Sequence, residues 1–476
     1  MMQYNKLTSI LAISSLIASP IFAHANDSEE LEQLRSLVQE LDQKVKVLER
    51  KDEIEVEATA AKKKETPIVR ASQDGFGLKS ADGKNEIKFR ALAQLYYRQY
   101  DNVNGLAFDG KNISGFDFRR IRPTIEGTLA GIYDFRFTPE FGEAKSAVID
   151  AYIDARFKPW LQVRAGKFKP YVGLERLQSG SDIKFIERSY VSNNILPNRD
   201  LGASLHGDLL DNKLSYALGV FNGVNDGAEN STAVDTNVDK DIAIRVFTTP
   251  FKDSDNALAG LGFGLAGTYA DFNGSSASTG LPSYKTAGLQ STFFSYRNTF
   301  ANGERQRLAP QAYYYYGPLG VIAEYAVVSQ EVTNGTTNDR LNNDAWQIAA
   351  SYLLTGEDAS FKGVKPKHTF DIDNNGWGAW ELVARYQENN IDDKAFSTAT
   401  QTRFADPRTN AKSAKSWAIG TNWYLNQNVK LALDYENTSF DGGGQVTTAG
   451  AATGGFNNIK DRPNEKTLFG RLQLSY

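Results

Sequence analysis

Apolar and polar residues alternate with a period of two through most of the chain beyond residue 86. Between Ala147 and Phe157, for example, alanine, isoleucine and phenylalanine take every second position, and mostly polar or charged residues lie between them. This alternation predicts β-strands with one apolar face and one polar face. About sixteen such segments follow one another, with approximate starts at residues 86, 116, 132, 146, 160, 202, 212, 240, 259, 308, 319, 343, 378, 412, 428 and 465.

The length of these segments and the order of their connections indicate a membrane barrel. Many segments match the roughly 9–11 residues that a tilted strand needs to cross a bilayer. Long connections, such as 169–201, mostly alternate with tight ones, such as 316–318, and the chain ends in an amphipathic strand closed by Tyr476. Two connections depart from the alternation, because 142–146 is short and 355–377 is long. We therefore predict an all-β fold, a sixteen-stranded antiparallel transmembrane β-barrel over residues 86–476.

A helical period marks the region before the barrel. Apolar residues recur there at spacings of three and four, at Leu31, Leu34, Val38, Leu41, Val45 and Leu48. This a/d heptad pattern predicts a short periplasmic coiled coil over residues 26–55, with a lone amphipathic helix as the alternative. The coiled coil would serve oligomerisation, or else space the barrel from peptidoglycan or bind a partner. Residues 56–85 have no sustained period and are predicted to form a linker and the entry to the barrel.

The first residues indicate the compartment. Lys6 is followed by an apolar run to Phe22 and by Ala23-His24-Ala25, which is typical of a secretory signal peptide over residues 1–25 cleaved after Ala25. Together with a barrel, this predicts the outer membrane of a Gram-negative bacterium and contact with its lipid.

Composition limits the chemistry. The chain has no cysteine, and beyond the signal peptide it keeps only His206 and His368, which leaves little for a metal site or a hydrolytic triad. A GxGxxG sequence from Gly262 to Gly267 lies inside a strand segment, where glycines serve wall packing rather than dinucleotide binding. We expect no enzyme activity, cofactor, metal or nucleic-acid partner, and a barrel enzyme such as a lipid hydrolase is the least favoured function class.

Charge is distributed unevenly. The chain carries a formal net charge of -4, yet residues 164–188 hold six basic residues against three acidic ones. These residues end the fifth strand and begin the loop after it. If that loop folds into the lumen, its Lys and Arg side chains line a constriction that selects anions. The alternative is a loop whose charges face solvent outside the cell. On the second strand, Arg120 and Arg122 share one face and would project into the lumen, where Asp150 or Glu126 could pair with them.

At these residues the sequence resembles the phosphate-selective porins O and P. The resemblance covers about residues 75–476. It is carried by FRRIRPTIEGTL at 118–129, FKPWLQVRAGKFKPYVGLE at 157–175, FIERS at 185–189, SYLLTGE at 351–357, GAWELVARY at 378–386 and GTNWYLNQNVKLALDY at 420–435. The resemblance implies a trimeric sixteen-stranded barrel, with an anion site built from lumen-facing basic residues, one carboxylate and tyrosines.

By motif, the resemblance places the anion site at Arg120, Asp150, Arg176 and Arg188. The chain has Arg122 and Lys169 where some members of the family carry tyrosines, which makes the constriction more basic. The dense arginine run of a later loop in the family is thin here. Residues 269–310 offer only Lys285, Arg297, Arg305 and Arg307.

The sequence therefore predicts a homotrimeric porin for passive, anion-preferring diffusion, of inorganic phosphate, polyphosphate or other small anions. A general diffusion porin with weak charge selectivity is the alternative. The predicted constriction consists of Arg120, Arg122, Asp150, Lys169, Arg176 and Arg188.

Overall fold

Two separate units make up the molecule, with the boundary between Thr66 and Pro67. The computed structural model describes residues 27–72, 75–101, 114–229, 239–276, 278–399, 402–447 and 451–476. The predicted signal peptide, residues 1–25, and the first residue of the predicted coiled coil lie outside the described residues.

The described part of the N-terminal unit is one long helix, α1, Asp27–Glu65. It contains the whole heptad pattern and continues ten residues beyond the predicted coiled coil, so the first part of the predicted linker is helical. Residues 58–65 are alanine, lysine, threonine and glutamate, and most of these favour a helix without any periodic apolar face. The helix ends just before Pro67, which disfavours helical geometry at the residue before it. Among the described residues, no helix is long and apolar enough to span a membrane.

Sixteen antiparallel strands form the barrel of the second unit. They are β3 Glu86–Asp101, β4 Gly115–Leu129, β5 Tyr133–Glu140, β6 Ala147–Lys158, β7 Leu161–Phe168, β8 Asp200–Leu209, β9 Leu214–Phe221, β10 Asp241–Thr248, β11 Leu261–Asn273, β14 Phe300–Tyr316, β15 Leu319–Thr333, β16 Asn338–Leu353, β17 Ala379–Asn390, β18 Ala411–Tyr424, β19 Val429–Gly442 and β20 Glu465–Ser475. Each pairs with its neighbours along the chain, and β20 pairs with β3 from Ser475↔Leu92 to Lys466↔Asp101, which closes the barrel.

Short elements complete the described chain. The hairpin of β1, Ile68–Ser72, and β2, Gly75–Lys79, adds to the start of β3. Strands β12, Ser283–Lys285, and β13, Thr292–Ser295, form a separate hairpin inside a long loop. Helix α2 is Leu174–Leu177, and single helical turns lie at Gly142–Ala144, Val191–Ile195, Ala257–Gly260 and Asp393–Ala395.

The predicted fold class and strand number are confirmed. All but two of the predicted strand starts lie within two residues of the observed ones. The exceptions are β14 and β16, which begin at Phe300 and Asn338, before their predicted starts at 308 and 343. Their first residues are largely polar, with Asn302-Gly303-Glu304 in β14. A strand segment that extends beyond the lipid needs no apolar outer face, so its sequence need not alternate between apolar and polar residues.

Burial follows the alternation. In β10, Ile242, Ile244 and Val246 are exposed on the outer wall, whereas Ala243 and Phe247 are buried on the inner side. The outer surface is therefore apolar and the lumen receives the polar face, as a membrane barrel requires.

The two irregular connections occur as the sequence indicated. Residues 141–146 form a short link at the end of the barrel that carries the long loops. The connection between β16 and β17, residues 354–378, is long at the opposite end. This connection turns into the lumen, where Ala359 and Val364 are buried and the carbonyl oxygen of Phe361 accepts a hydrogen bond from Gln178 at 2.9 Å.

Candidate functional site

The loop between β7 and β8, here L3 (residues 169–199), lies inside the barrel. It begins on one wall and is held by side chains of the opposite wall. Gln94 of β3 donates to the carbonyl oxygen of Gly180 at 2.9 Å, and Asn422 of β18 donates to that of Lys184 at the same distance. Side chains that bond to the main chain of L3 come from β3, β14, β15, β17, β18, β19 and β20. The loop therefore crosses the lumen rather than facing solvent outside.

Buried carboxylates of the wall fix two points of L3. The Glu324 carboxylate accepts from the backbone N–H groups of Leu174 and Glu175, at 2.6 and 3.2 Å. The Asp434 carboxylate accepts from the backbone N–H of Ile186 at 2.6 Å. Hydrogen bonds to charged groups are stronger than neutral ones. These contacts set the position of the loop.

Loops fill much of the lumen on the long-loop side of L3. Tyr284, Phe293 and Phe294 from the loop 274–299, and Phe404 from the loop 391–410, are almost fully buried in one apolar cluster with L3 residues such as Ile195. This cluster narrows the space through which a solute can pass.

The arginines of the later loop region are neutralised. Arg305 and Arg307 lie on β14, where Arg305 pairs with Asp241 at 2.9 Å and Arg307 with Asp226 at 2.7 Å. Arg297 pairs with Asp406 at 3.0 Å. These arginines do not form a row of unpaired cations.

A cavity of about 600 Å³ remains on the other side of L3. Cations dominate its charged lining, which also includes His206. The lining cations are Arg90, Arg122, Arg136, Arg164, Lys169, Arg199 and Arg245, and the lining carboxylates are Glu126, Asp150 and Asp208. Such an excess of cations in a confined space favours anions.

Most of these cations have a carboxylate partner. Arg122 pairs with Glu140 at 2.5 Å and Arg199 with Asp150 at 2.8 Å. Further pairs join Arg136 to Glu126 and Arg164 to Asp154.

Lys169 and Arg245 differ from the other lining cations, because among the described residues neither has a carboxylate within ion-pair distance. The Lys169 ammonium donates to the carbonyl oxygen of Gln178 at 2.7 Å. The Arg245 guanidinium donates from Nε to Gln311 at 3.1 Å. Their charge is therefore available to an entering anion.

Three of the six residues predicted from the sequence line this cavity: Arg122, Asp150 and Lys169. Asp150 is the partner of Arg199 rather than of Arg120 or Arg122, and Glu126 is the partner of Arg136.

The other three predicted residues are buried outside the cavity lining, with Arg176 and Arg188 in L3 itself and Arg120 on β4. Arg120 donates to Gln94 and Tyr96, and Arg176 donates to the carbonyl oxygen of Ser192. Arg188 donates to the same Gln178 carbonyl as Lys169, at 2.8 Å, so these two cationic groups are adjacent.

Five basic residues that line the cavity were not predicted as site residues from the sequence: Arg90, Arg136, Arg164, Arg199 and Arg245. Arg119 was also missed, and it contacts L3 without lining the cavity. Arg199 ends L3, and Arg245 occupies an inward position of β10, where its alternation with Ile244 and Val246 could have placed it. Arg119 projects inward beside Arg120, because a register shift in the β3–β4 pairing falls at this point and leaves Arg119 without a partner on β3. Arg119 binds Glu187 of L3 at 2.8 Å.

The electrostatic environment of Lys169 reflects its position. Burial, together with the neighbouring Arg188 and Arg199, holds the pKa of the Lys169 ammonium well below its usual value. Burial and Arg199 also lower the pKa of Arg176, to about 10. These shifts indicate concentrated positive charge, which an anion would relieve.

The chain is similar in sequence to known porins. The sequence profile of the family "Phosphate-selective porin O and P" matches residues 87–445. Porin O of Pseudomonas aeruginosa is 23% identical over 409 residues, which cover 79% of this chain and 87% of that protein.

One solved outer-membrane protein shows the same architecture. The outer-membrane protein OmpT of Vibrio cholerae has a TM-score of 0.50 at 8% identity, covering 83% of this chain and 98% of that one. An anion-selective porin from Comamonas acidovorans has a TM-score of 0.48 at 11% identity, covering 82% and 100%.

The family profile spans most of the chain, and its match includes L3 and the barrel strands from β3 to β19. The protein is a channel of the Gram-negative outer membrane and not an enzyme. On this evidence the chain belongs to the phosphate-selective porin O and P family.

Proposed function

We propose that this porin conducts anions in preference to cations, and that inorganic phosphate or polyphosphate is its main solute. The observation that carries the proposal is the presence of Lys169 and Arg245 in one confined cavity beside the fixed loop L3, where neither has a carboxylate within ion-pair distance among the described residues. A weakly selective diffusion porin has no need of such uncompensated charge at its narrow point.

Phosphate is the favoured solute for a chemical reason. Arginine offers a planar fork of donors that matches phosphate oxygens, and a lysine ammonium adds a compact charge. Arg245 uses its Nε for Gln311, which leaves its terminal nitrogens for a ligand. The cavity is also large enough for pyrophosphate and longer chains. The six residues predicted from the sequence belong to this proposal, with Arg120, Arg176 and Arg188 contributing charge from buried positions outside the cavity lining.

The test is phosphate block of chloride current. Purified protein in a planar bilayer is bathed in KCl at pH 7, and phosphate is titrated while the chloride current is recorded. We expect block in the wild type, and weaker block in Lys169→Gln and in Arg245→Gln. Lys252→Met, which removes an exposed lysine from the link between β10 and β11, is the matched control. Equal currents at all phosphate concentrations would contradict phosphate binding.

We also propose that α1 forms a coiled coil in a homotrimer, after removal of residues 1–25. The heptad residues Leu31, Leu34, Val38, Leu41, Val45 and Leu48 are each about half or more exposed in the single chain. A helix that presents such a stripe to water gains stability when it pairs with copies of itself. Three heptads alone decide the number of chains poorly, so the trimer rests on the family.

Crosslinking tests the coiled coil. The mature protein and a variant lacking residues 26–55 are crosslinked in detergent and sized. We expect trimers in the mature protein, and trimers of lower thermal stability in the truncated one. Unchanged stability would assign α1 to spacing the barrel or binding another partner.

A further inference from the structure

The cavity beside L3 has an aromatic side as well as a basic one. Phe247, Tyr313 and Phe361, here called the aromatic ledge, line it together. The ring of Tyr313 lies 5.2 Å from that of Phe247 and 5.6 Å from that of Phe361, with interplanar angles of 37° and 31°. The ledge therefore offers a continuous surface made of three rings. Phe361 reaches it from the connection 354–378, which enters the lumen from the short-turn end.

A cation lies at the edge of the ledge. The guanidinium carbon of Arg245 is 4.5 Å from the ring centroid of Phe247. This contact places the guanidinium against the aromatic surface, while its terminal nitrogens remain available. Lys169 lines the same cavity. Unpaired positive charge and aromatic surface thus meet within one space.

Inorganic phosphate would use only half of this arrangement. A small, strongly hydrated anion gains nothing from aromatic rings, and apolar surface that faces a water-filled lumen is unfavourable. The cavity, at about 600 Å³, falls in the range of pockets that hold small organic molecules. The combination fits a ligand with an anionic head and a flat apolar body.

We propose that the cavity binds and admits organic anions that carry a phosphate or carboxylate on an aromatic ring. The anionic head contacts Arg245 and Lys169, and the ring stacks on the aromatic ledge. This inference rests on the proposed anion preference and extends it to a second class of solute. Stacked or tilted aromatic pairs stabilise a complex enough to raise affinity about five- to tenfold.

The ledge also has packing contacts, which the experiment must separate from ligand binding. Phe247 belongs to a small apolar cluster with Leu174 and Phe185 of L3, and Tyr313 and Phe361 pack against that cluster. If the rings served only to support L3, their removal would alter the block by every anion alike.

The experiment compares phenyl phosphate with ethyl phosphate as blockers of chloride current through the full-length protein at pH 8. Both esters are dianions at this pH, since their second pKa is near 6. They therefore differ in the ring and hardly in charge. Inorganic phosphate is titrated in parallel. We expect phenyl phosphate to block the wild type about five- to tenfold more tightly than ethyl phosphate.

Variants locate the effect. Phe361→Leu and Tyr313→Leu keep apolar volume and should bring phenyl phosphate to the level of ethyl phosphate, with the ethyl phosphate and inorganic phosphate values unchanged. Tyr315→Leu removes a neighbouring ring that does not line the cavity, and it should keep the preference. Arg245→Gln should weaken block by both esters. Wild-type chloride conductance in the leucine variants verifies that L3 has kept its place.

Each other outcome overturns the inference in a distinct way. Equal block by the two esters in the wild type removes aromatic recognition but leaves anion preference intact. A phenyl preference that survives both leucine variants places the binding surface elsewhere. An absence of block by the esters and by inorganic phosphate alike contradicts the proposed function as well.

Discussion

Neutralising Lys169 should weaken the binding of a divalent anion more than that of a monovalent one. The fold-loss in affinity for the divalent anion should be the square of the fold-loss for the monovalent anion. Lys169→Gln removes one charge and keeps a side chain that can still donate to the Gln178 carbonyl. No described carboxylate lies within ion-pair distance of Lys169, so an anion at the protonated ammonium meets a charge that is not already paired. Two unit charges about 4 Å apart in water interact by about 1 kcal/mol. We therefore expect about fivefold weaker chloride binding and about 30-fold weaker binding of HPO₄²⁻.

The assay is single-channel recording in 0.1 M KCl at pH 7, where screening acts over about 10 Å and leaves contact pairs effective. Saturation of chloride conductance gives the monovalent affinity, and phosphate block gives the divalent one. Lys169→Arg keeps the charge and should stay close to wild type, and Lys252→Met is the neutral control. An equal loss for the two anions, or no loss, would refute the electrostatic account of this residue.

Two further predictions follow from the same geometry. The lowered pKa of Lys169 means that its charge is lost at a lower pH than that of an ordinary lysine, so chloride-over-potassium selectivity should fall as pH rises from 7 to 10. Lys169→Arg should keep its selectivity over this range. If selectivity depended on pH in the same way in the wild type and in Lys169→Arg, Lys169 would not be the titrating group. Glu324→Ala leaves the buried N–H groups of Leu174 and Glu175 unpaired, at about 1–3 kcal/mol each, so current noise should rise and phosphate block should weaken. Glu304→Ala, on an exposed part of β14, is the control. Wild-type current noise and wild-type phosphate block in Glu324→Ala would show that this carboxylate does not hold L3.

The barrel could be predicted from the sequence because its signal is local. Strands that expose one face to lipid and the other to a lumen must alternate, and residues such as Ile242 and Ala243 record that alternation at each step. The predicted strand starts were wrong only at the beginnings of β14 and β16, where the strands extend beyond the lipid and need not alternate. The helical period of α1 is equally local, and its extension through residues 58–65 depended on intrinsic propensity rather than on period.

The site was predicted less completely because it depends on contacts between distant segments. The basic character of L3 was visible, and so were Arg122, Asp150 and Lys169. Which cations keep a carboxylate partner depends on how L3 crosses the lumen, and this is set by wall residues such as Glu324, more than a hundred positions away along the chain. Arg245 is a single arginine in an ordinary strand, and its importance depends on having no carboxylate within ion-pair distance among the described residues.

Anion preference is the central claim, and the reversal potential in a KCl gradient tests it most directly. Purified protein is inserted into a planar bilayer with tenfold more KCl on one side, and the zero-current voltage is measured at neutral pH. We predict a reversal potential of the sign expected for a channel that prefers chloride. In the Lys169→Gln, Arg245→Gln double variant, the reversal potential should shift markedly toward the value expected for potassium permeation. A wild-type reversal potential of the sign given by potassium would contradict the account.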